Sequence, residues 1–124
     1  MKSKIAAKKL YNEGSVAYNK RDYTEAVVLF QQAAKKGSAD AQGLLGHMYL
    51  NGIGIQRDID EALFWSMMGA KNDNALAQYN CGITFLAHPR VGPNDKASYV
   101  LGIYYLKKAA RKGFQEAIDK LNNL

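Results

Sequence analysis

At 124 residues, 48% apolar and 23% charged, the chain is long enough for one core and lies outside the range of disordered sequences. Two prolines and one cysteine exclude a collagenous or proline-rich chain and any internal disulfide framework. Seventeen basic and eleven acidic residues leave a net charge of +6, which raises nucleic acid or an acidic membrane as candidate partners.

The amino terminus, Met1 to Leu10, carries positive charge but no apolar stretch of the kind a secretory signal needs. With a lone Cys81, this points to a reducing, cytoplasmic setting. The longest uncharged run, 74–89, is too short and too polar at its ends to span a bilayer.

Seven helices are predicted, at 4–19, 22–36, 39–51, 59–71, 75–87, 95–112 and 115–123. In the third, apolar or small residues at 41, 44, 45, 48 and 49 give the stripe of a helix with one buried face. Gly52 and Gly54 stop it, because glycine takes the left-handed conformation that a helix end requires. Asp58 caps the next helix, and Glu61 three residues on completes a capping-box pattern; Asp22 and Glu25 do the same one unit earlier. Ala62, Trp65, Gly69 and Ala70 form the buried stripe of the fourth helix. Lys35-Lys36-Gly37 and Arg111-Lys112-Gly113 are matching stops, cations at the negative helix end followed by glycine.

Self-similarity organises the chain. Ala34, Lys35, Ala39, Ala41 and Gln42 recur 36 residues later as Ala70, Lys71, Ala75, Ala77 and Gln78. Asp22, Glu25 and Ala26 return as Asp58, Glu61 and Ala62 at the same interval. A third copy aligns Gly82 with Gly46, Phe85 with Tyr49, and Tyr105 with Trp65, the last pair 40 apart. Four added residues are about one helical turn, which lengthens a helix while roughly keeping its face. Gly46, Gly82, Ala62 and Ala70 are small where helix axes should cross, and Tyr49, Trp65, Phe85 and Tyr105 fill the space between. The units are expected at about 4–37, 38–73 and 74–113 within one domain spanning 1–124. The last helix, within 114–124, covers the open end.

These residues resemble the Sel-one-like repeat family of the tetratricopeptide superfamily. Its unit stands here as Ala41, Leu45-Gly46, Tyr49, Gly52, Gly54-Ile55, Asp58, Ala62, Trp65 and Ala70. The third unit has His88-Pro-Arg-Val-Gly-Pro93 in place of the glycine loop, and the first, with only Asn19-Lys-Arg-Asp22 between its helices, is closer to an ordinary tetratricopeptide repeat. The resemblance implies an all-α fold, a right-handed α-solenoid of about three helix-turn-helix repeats with a C-terminal capping helix. It also implies a protein-interaction role, as adaptor, regulator or inhibitor of a toxin or effector.

Signals for catalysis are thin. His47, His88 and Cys81 form no motif spacing, and no metal or cofactor is expected. Cys81 occupies the core position of Leu45 in the repeat, so it reads as a small buried hydrophobe. Secreted, cysteine-rich members of the family are credited with binding or hydrolysing β-lactams, but this chain lacks their cysteine pairs, which argues against a small hydrolase.

The resemblance also implies that one side of each first helix lines a concave groove for a protein or peptide. Those positions are Lys8, Tyr11, Ser15 and Tyr18, then Asp40, Gly43, His47 and Leu50, then Leu76, Tyr79, Ile83 and Leu86. Asn12 and Asn80 sit two residues before Gly14 and Gly82, where an amide would reach a peptide backbone. Tyrosine suits such a site, with its large apolar face and polar tip. Leu76, Ile83 and Leu86 also read as packing against the next unit. The lysine and asparagine with which some tetratricopeptide proteins clamp a carboxylate are replaced by Tyr11 and Ser15, so no such clamp is expected.

Charge is uneven along the chain. Residues 1–36 are net +5, 37–74 net −3 and 75–124 net +4. Much of the excess lies in final helical turns, and no groove-entering helix or stacking sheet is present, so direct nucleic-acid binding is not expected. Lys2, Lys4, Lys8 and Lys9 form a basic end suited to an acidic partner or membrane surface.

Overall fold

The computed structural model describes residues 2–124. Among them the chain forms α1 (Lys2–Asn19), α2 (Tyr23–Lys35), α3 (Ala39–Asn51), α4 (Ile59–Lys71), α5 (Ala75–Ala87), α6 (Asp95–Arg111) and α7 (Gln115–Asn122), and no strand. A short 3-10 turn, Pro89–Val91, stands between α5 and α6.

Five of the helix starts have a local chemical cause in a side-chain cap. Asp22, Ser38, Asp58, Asn74 and Asn94 each accept a hydrogen bond from the backbone N–H three residues on, at 2.8–3.4 Å. The expected capping boxes are only half made. The backbone N–H groups of Asp22 and Asp58 donate to Ala17 O and Tyr49 O of the preceding helix, which leaves them nothing to give to Glu25 or Glu61. Ser38 and Asn74, 36 residues apart, are caps the sequence pattern had not distinguished. At the end of α3, Gly52 is left-handed (φ 66°, ψ 42°) and its N–H returns to Met48 O.

Helices α1 with α2, α3 with α4, and α5 with α6 form tight pairs, each packing on the next. The first helices α3 and α5 also pack directly, whereas α1 and α3 stand further apart. Small residues set the crossings. A methyl group on Gly82 would lie 2.7 Å from Leu106 and 3.0 Å from Gly102 O, and one on Gly46 would lie 3.2 Å from Ala62 O. Phe30, Leu45 and Met48 are buried in the first core region; Cys81 and Phe85 centre the second, and Leu106, Ala109 and Ala117 the third. Gln42 and Gln78 are buried too, and each donates back to the preceding unit, Gln42 to Ala34 O (3.1 Å) and Gln78 to Ala70 O (3.5 Å).

One packing expectation changes. Trp65 is half-buried, set edge-on to the exposed Phe64 at 5.0 Å, and Ser66 takes the fully buried place beside Gly46. The glycine loop of the third unit is a 3-10 turn tied to α6 by Ser98 Oγ donating to Pro89 O at 2.7 Å. The four extra residues lie in α6, which has 17 residues against 13 in α4.

Candidate functional site on the first helices

The space between α1 and α3 is the place to look for a partner, because these helices do not close on each other as α3 and α5 do. Two adjoining pockets occupy it. One, of about 340 Å³, is lined by Lys4, Lys8, Tyr11 and Asn12 of α1, together with Lys36, Ser38 and Asp40 across the gap. The other, of about 350 Å³, is lined by Tyr11, Ser15, Tyr18 and Asn19, with Phe30 and Leu44. Tyr11 belongs to both.

Six of the residues expected in the groove therefore come together: Lys8, Tyr11, Asn12, Ser15, Tyr18 and Asp40. Their poses are held from behind. Tyr11 and Tyr18 both rest on the buried Phe30, with ring centroids 5.8 and 6.5 Å away, and Tyr18 meets Tyr23 edge-on at 5.1 Å. Ser15 Oγ donates to Tyr11 O at 3.0 Å, and Asp40 accepts from Asn74 Nδ2 at 3.0 Å. Rings fixed this way lose little freedom when a ligand arrives.

Three expected groove residues are not available to a partner. Gly43 is buried, because the cap residue Asn74 packs where its side chain would be. Leu50 is 9% exposed. Asn80 is 1% exposed, and its Nδ2 donates to Gly43 O at 3.1 Å, so the amide meets the backbone of the neighbouring helix in place of a peptide. In α5, Tyr79 is stacked on Phe114 at 5.1 Å, and Ile83 and Leu86 pack against the core region of Leu106, Ala109 and Ala117. Burial and the nearby Glu116 raise the Tyr79 pKa. The third unit's share of the expected groove thus serves contacts with the end of the chain.

His47 is half-buried, with Asn51 Nδ2 3.1 Å from its Nδ1, and burial lowers its pKa. Asn51 donates to that nitrogen only when it carries no proton, so the tautomer with hydrogen on Nε2 fits the contact. Lys4 and Lys36 are the two charged site residues that the groove positions did not include. Lys4 lies one turn before Lys8 on the same face of α1; Lys36, a helix-end cation in sequence, reaches the site only through the turn into α3.

Cys81 is buried, and its thiol is pushed up to about 12 by loss of solvation. That environment disfavours the thiolate that a nucleophile requires. Among the described residues, no group of three or more His, Cys, Asp or Glu side chains is arranged to hold a metal ion, and no helix is long and apolar enough to cross a membrane.

Seven helices, paired in tandem with a final unpaired helix, define an α-solenoid of short helical repeats. The Sel1 repeat matches residues 4–38, 39–74 and 75–114, and the chain belongs to the Sel1-repeat family. It is 33% identical over 86 residues to a Sel1-like repeat-containing protein of Acanthamoeba polyphaga mimivirus, covering 69% of this chain and 15% of that protein. With protein sel-1 homolog 2 of Homo sapiens the identity is 32% over 90 residues, 73% of this chain and 12% of the other. The crystal structure of a protective antigen present in uropathogenic Escherichia coli strains, displaying an SLR fold, superposes with a TM-score of 0.78. Its identity is 27%, over 93% of this chain and 25% of that one. The chain therefore spans a minor part of each of these proteins. Sel1-repeat proteins are in general protein-interaction modules built on a typically non-enzymatic scaffold.

Proposed function

We propose that the chain is a non-catalytic interaction module that takes an acidic peptide segment of a partner protein between α1 and α3. The observation that carries this reading is the separation of α1 from α3, with Lys4, Lys8 and Lys36 around one end of the gap and Tyr11 and Tyr18 along it. The lysines supply attraction and on-rate, and the tyrosines supply contact area. Rings already rested on Phe30 keep the ordering cost low. The lone Cys81, buried and unpaired, is consistent with a cytoplasmic setting, which is part of the proposal.

An affinity pull-down with identification by mass spectrometry tests it, comparing the wild-type chain with Lys8→Glu/Lys36→Glu and with Asn12→Ala/Tyr18→Ala. Lys8, Asn12 and Lys36 are exposed and Tyr18 is half-buried, so a thermal melt of each variant checks that folding is kept. Partners captured by the wild type should be lost or strongly depleted with the charge-reversed pair and should elute in moderate salt. Undiminished capture by both double variants would sink the assignment of this groove.

A further inference from the structure

A second surface lies on the outer side of the array, away from the gap between α1 and α3. Between α4 and α6 runs a groove of about 440 Å³ whose apolar lining comes from Phe64, Met67, Met68 and Tyr104, with Lys71 and Lys108 at its edge. Phe64 is 56% exposed and Tyr104 51%, and both methionines are exposed as well. No acidic side chain lines the groove. Asp60 and Glu61 sit in the first turn of α4, whereas Lys71 is in its last.

The repeat supplies an internal comparison. The slots of Met67 and Met68 hold Gln31 and Gln32 one unit earlier and Lys107 and Lys108 one unit later. Polar residues therefore satisfy the fold at these positions, and only the middle unit places two methionines there. The slot of Phe64 holds Val28 and Tyr104 in the other units, all three exposed. Contiguous exposed apolar groups of this kind mark interaction surfaces, and methionine adapts its shape to what it meets.

Charge decides the occupant. Lys112 pairs with Asp73, but Lys71 and Lys108 form no ion pair among the described residues. The Lys108 ammonium is 5.4 Å from the Tyr104 ring centroid, which holds it at the groove edge. A second copy of this chain docked groove to groove would bring no carboxylate from its own groove lining to Lys71 and Lys108. We infer that the groove between α4 and α6 is a second docking site, and that it takes an acidic amphipathic segment of a partner protein. Apolar side chains of the segment lie on Phe64, Met67, Met68 and Tyr104, while its carboxylates meet Lys71 and Lys108.

The test is selection of short random peptides displayed on phage against the full chain carrying Lys8→Glu/Lys36→Glu, which closes the first site to acidic peptides, followed by affinity measurement on the synthesised winners. The expected winners carry Asp or Glu beside Leu, Phe or Met. They should lose about tenfold or more in affinity on Phe64→Ala/Met68→Ala and on Lys71→Glu/Lys108→Glu. They should bind Lys8→Glu/Lys36→Glu as they bind the wild type, which separates this site from the one between α1 and α3. Peptides with Lys in place of each acidic residue should fail to bind. All four changed side chains are at or near the surface, and a thermal melt of each variant checks that folding is kept. Four results would overturn the inference: an empty selection, winners without acidic residues, winners indifferent to the outer-face variants, or sedimentation showing a dimer that those variants abolish.

Discussion

Asn80 Nδ2 donates to Gly43 O across 3.1 Å, so the first helices of two successive units are joined by a buried side chain bonded to a backbone carbonyl. A side chain at Gly43 would collide with Asn74, which caps α5 beside this bond. Asn80→Ala removes this bond while Gly43 O keeps its intrahelical partner, the N–H of His47, and is expected to cost about 0.5–1.5 kcal/mol in a urea melt. A cost near zero would mean that the seam is held by apolar packing alone.

At the crossing of α5 and α6, a methyl group on Gly82 would press on Leu106 and on the carbonyl of Gly102. Gly82→Ala is expected to destabilise by about 1–3 kcal/mol through overpacking, outweighing alanine's better helix propensity. A thermal melt at or above the wild-type temperature would show that the helices shift apart at little cost.

Trp65 rests half-exposed against Phe64, with one side on the first core region. Truncation to alanine removes only part of a buried aromatic contact, and its expected cost is about 2 kcal/mol, below the range for a fully buried ring. Denaturant titration at fixed pH measures it directly.

Burial lowers the pKa of His47 below its ordinary 6.5. The unfolded chain then binds the proton more readily than the folded one. This contribution to stability is complete above about pH 6.5 and is lost as pH falls through 6.5 toward the lowered folded value. Urea midpoints of wild type and His47→Gln should therefore diverge between pH 7.5 and 5.5, with the wild type losing more. Parallel profiles would contradict the burial of the imidazole.

Cys81, buried and raised to about 12, should resist a thiol reagent at pH 8 in the native state and react rapidly in denaturant. Fast native labelling would indicate that the second core region opens readily.

The helices and their pairing were legible because glycine stops, acidic caps and the 36-residue interval are local chemistry repeated in register. The candidate site was only half legible. Lys8, Tyr11, Asn12, Ser15, Tyr18 and Asp40 come together as their helix faces imply. Gly43, Leu50 and Asn80 occupy comparable faces yet are sealed, because α3 packs closely on α5 while α1 stays clear of α3. Helix periodicity gives a face but not the distance to the next helix. Met67 and Met68 fall outside the stripe of Ala62, Trp65, Gly69 and Ala70, but periodicity does not show the groove with α6 that they line.

The buried glutamines bear on mechanics. Gln42 latches the first seam at 3.1 Å, with Asn72 Nδ2 bonded to its own carbonyl oxygen at 3.0 Å, and Gln78 latches the second more loosely at 3.5 Å. At the third, the matching slot holds Ile118, which has no amide to reach back. The first two joints of the array thus carry an amide latch, and the third does not.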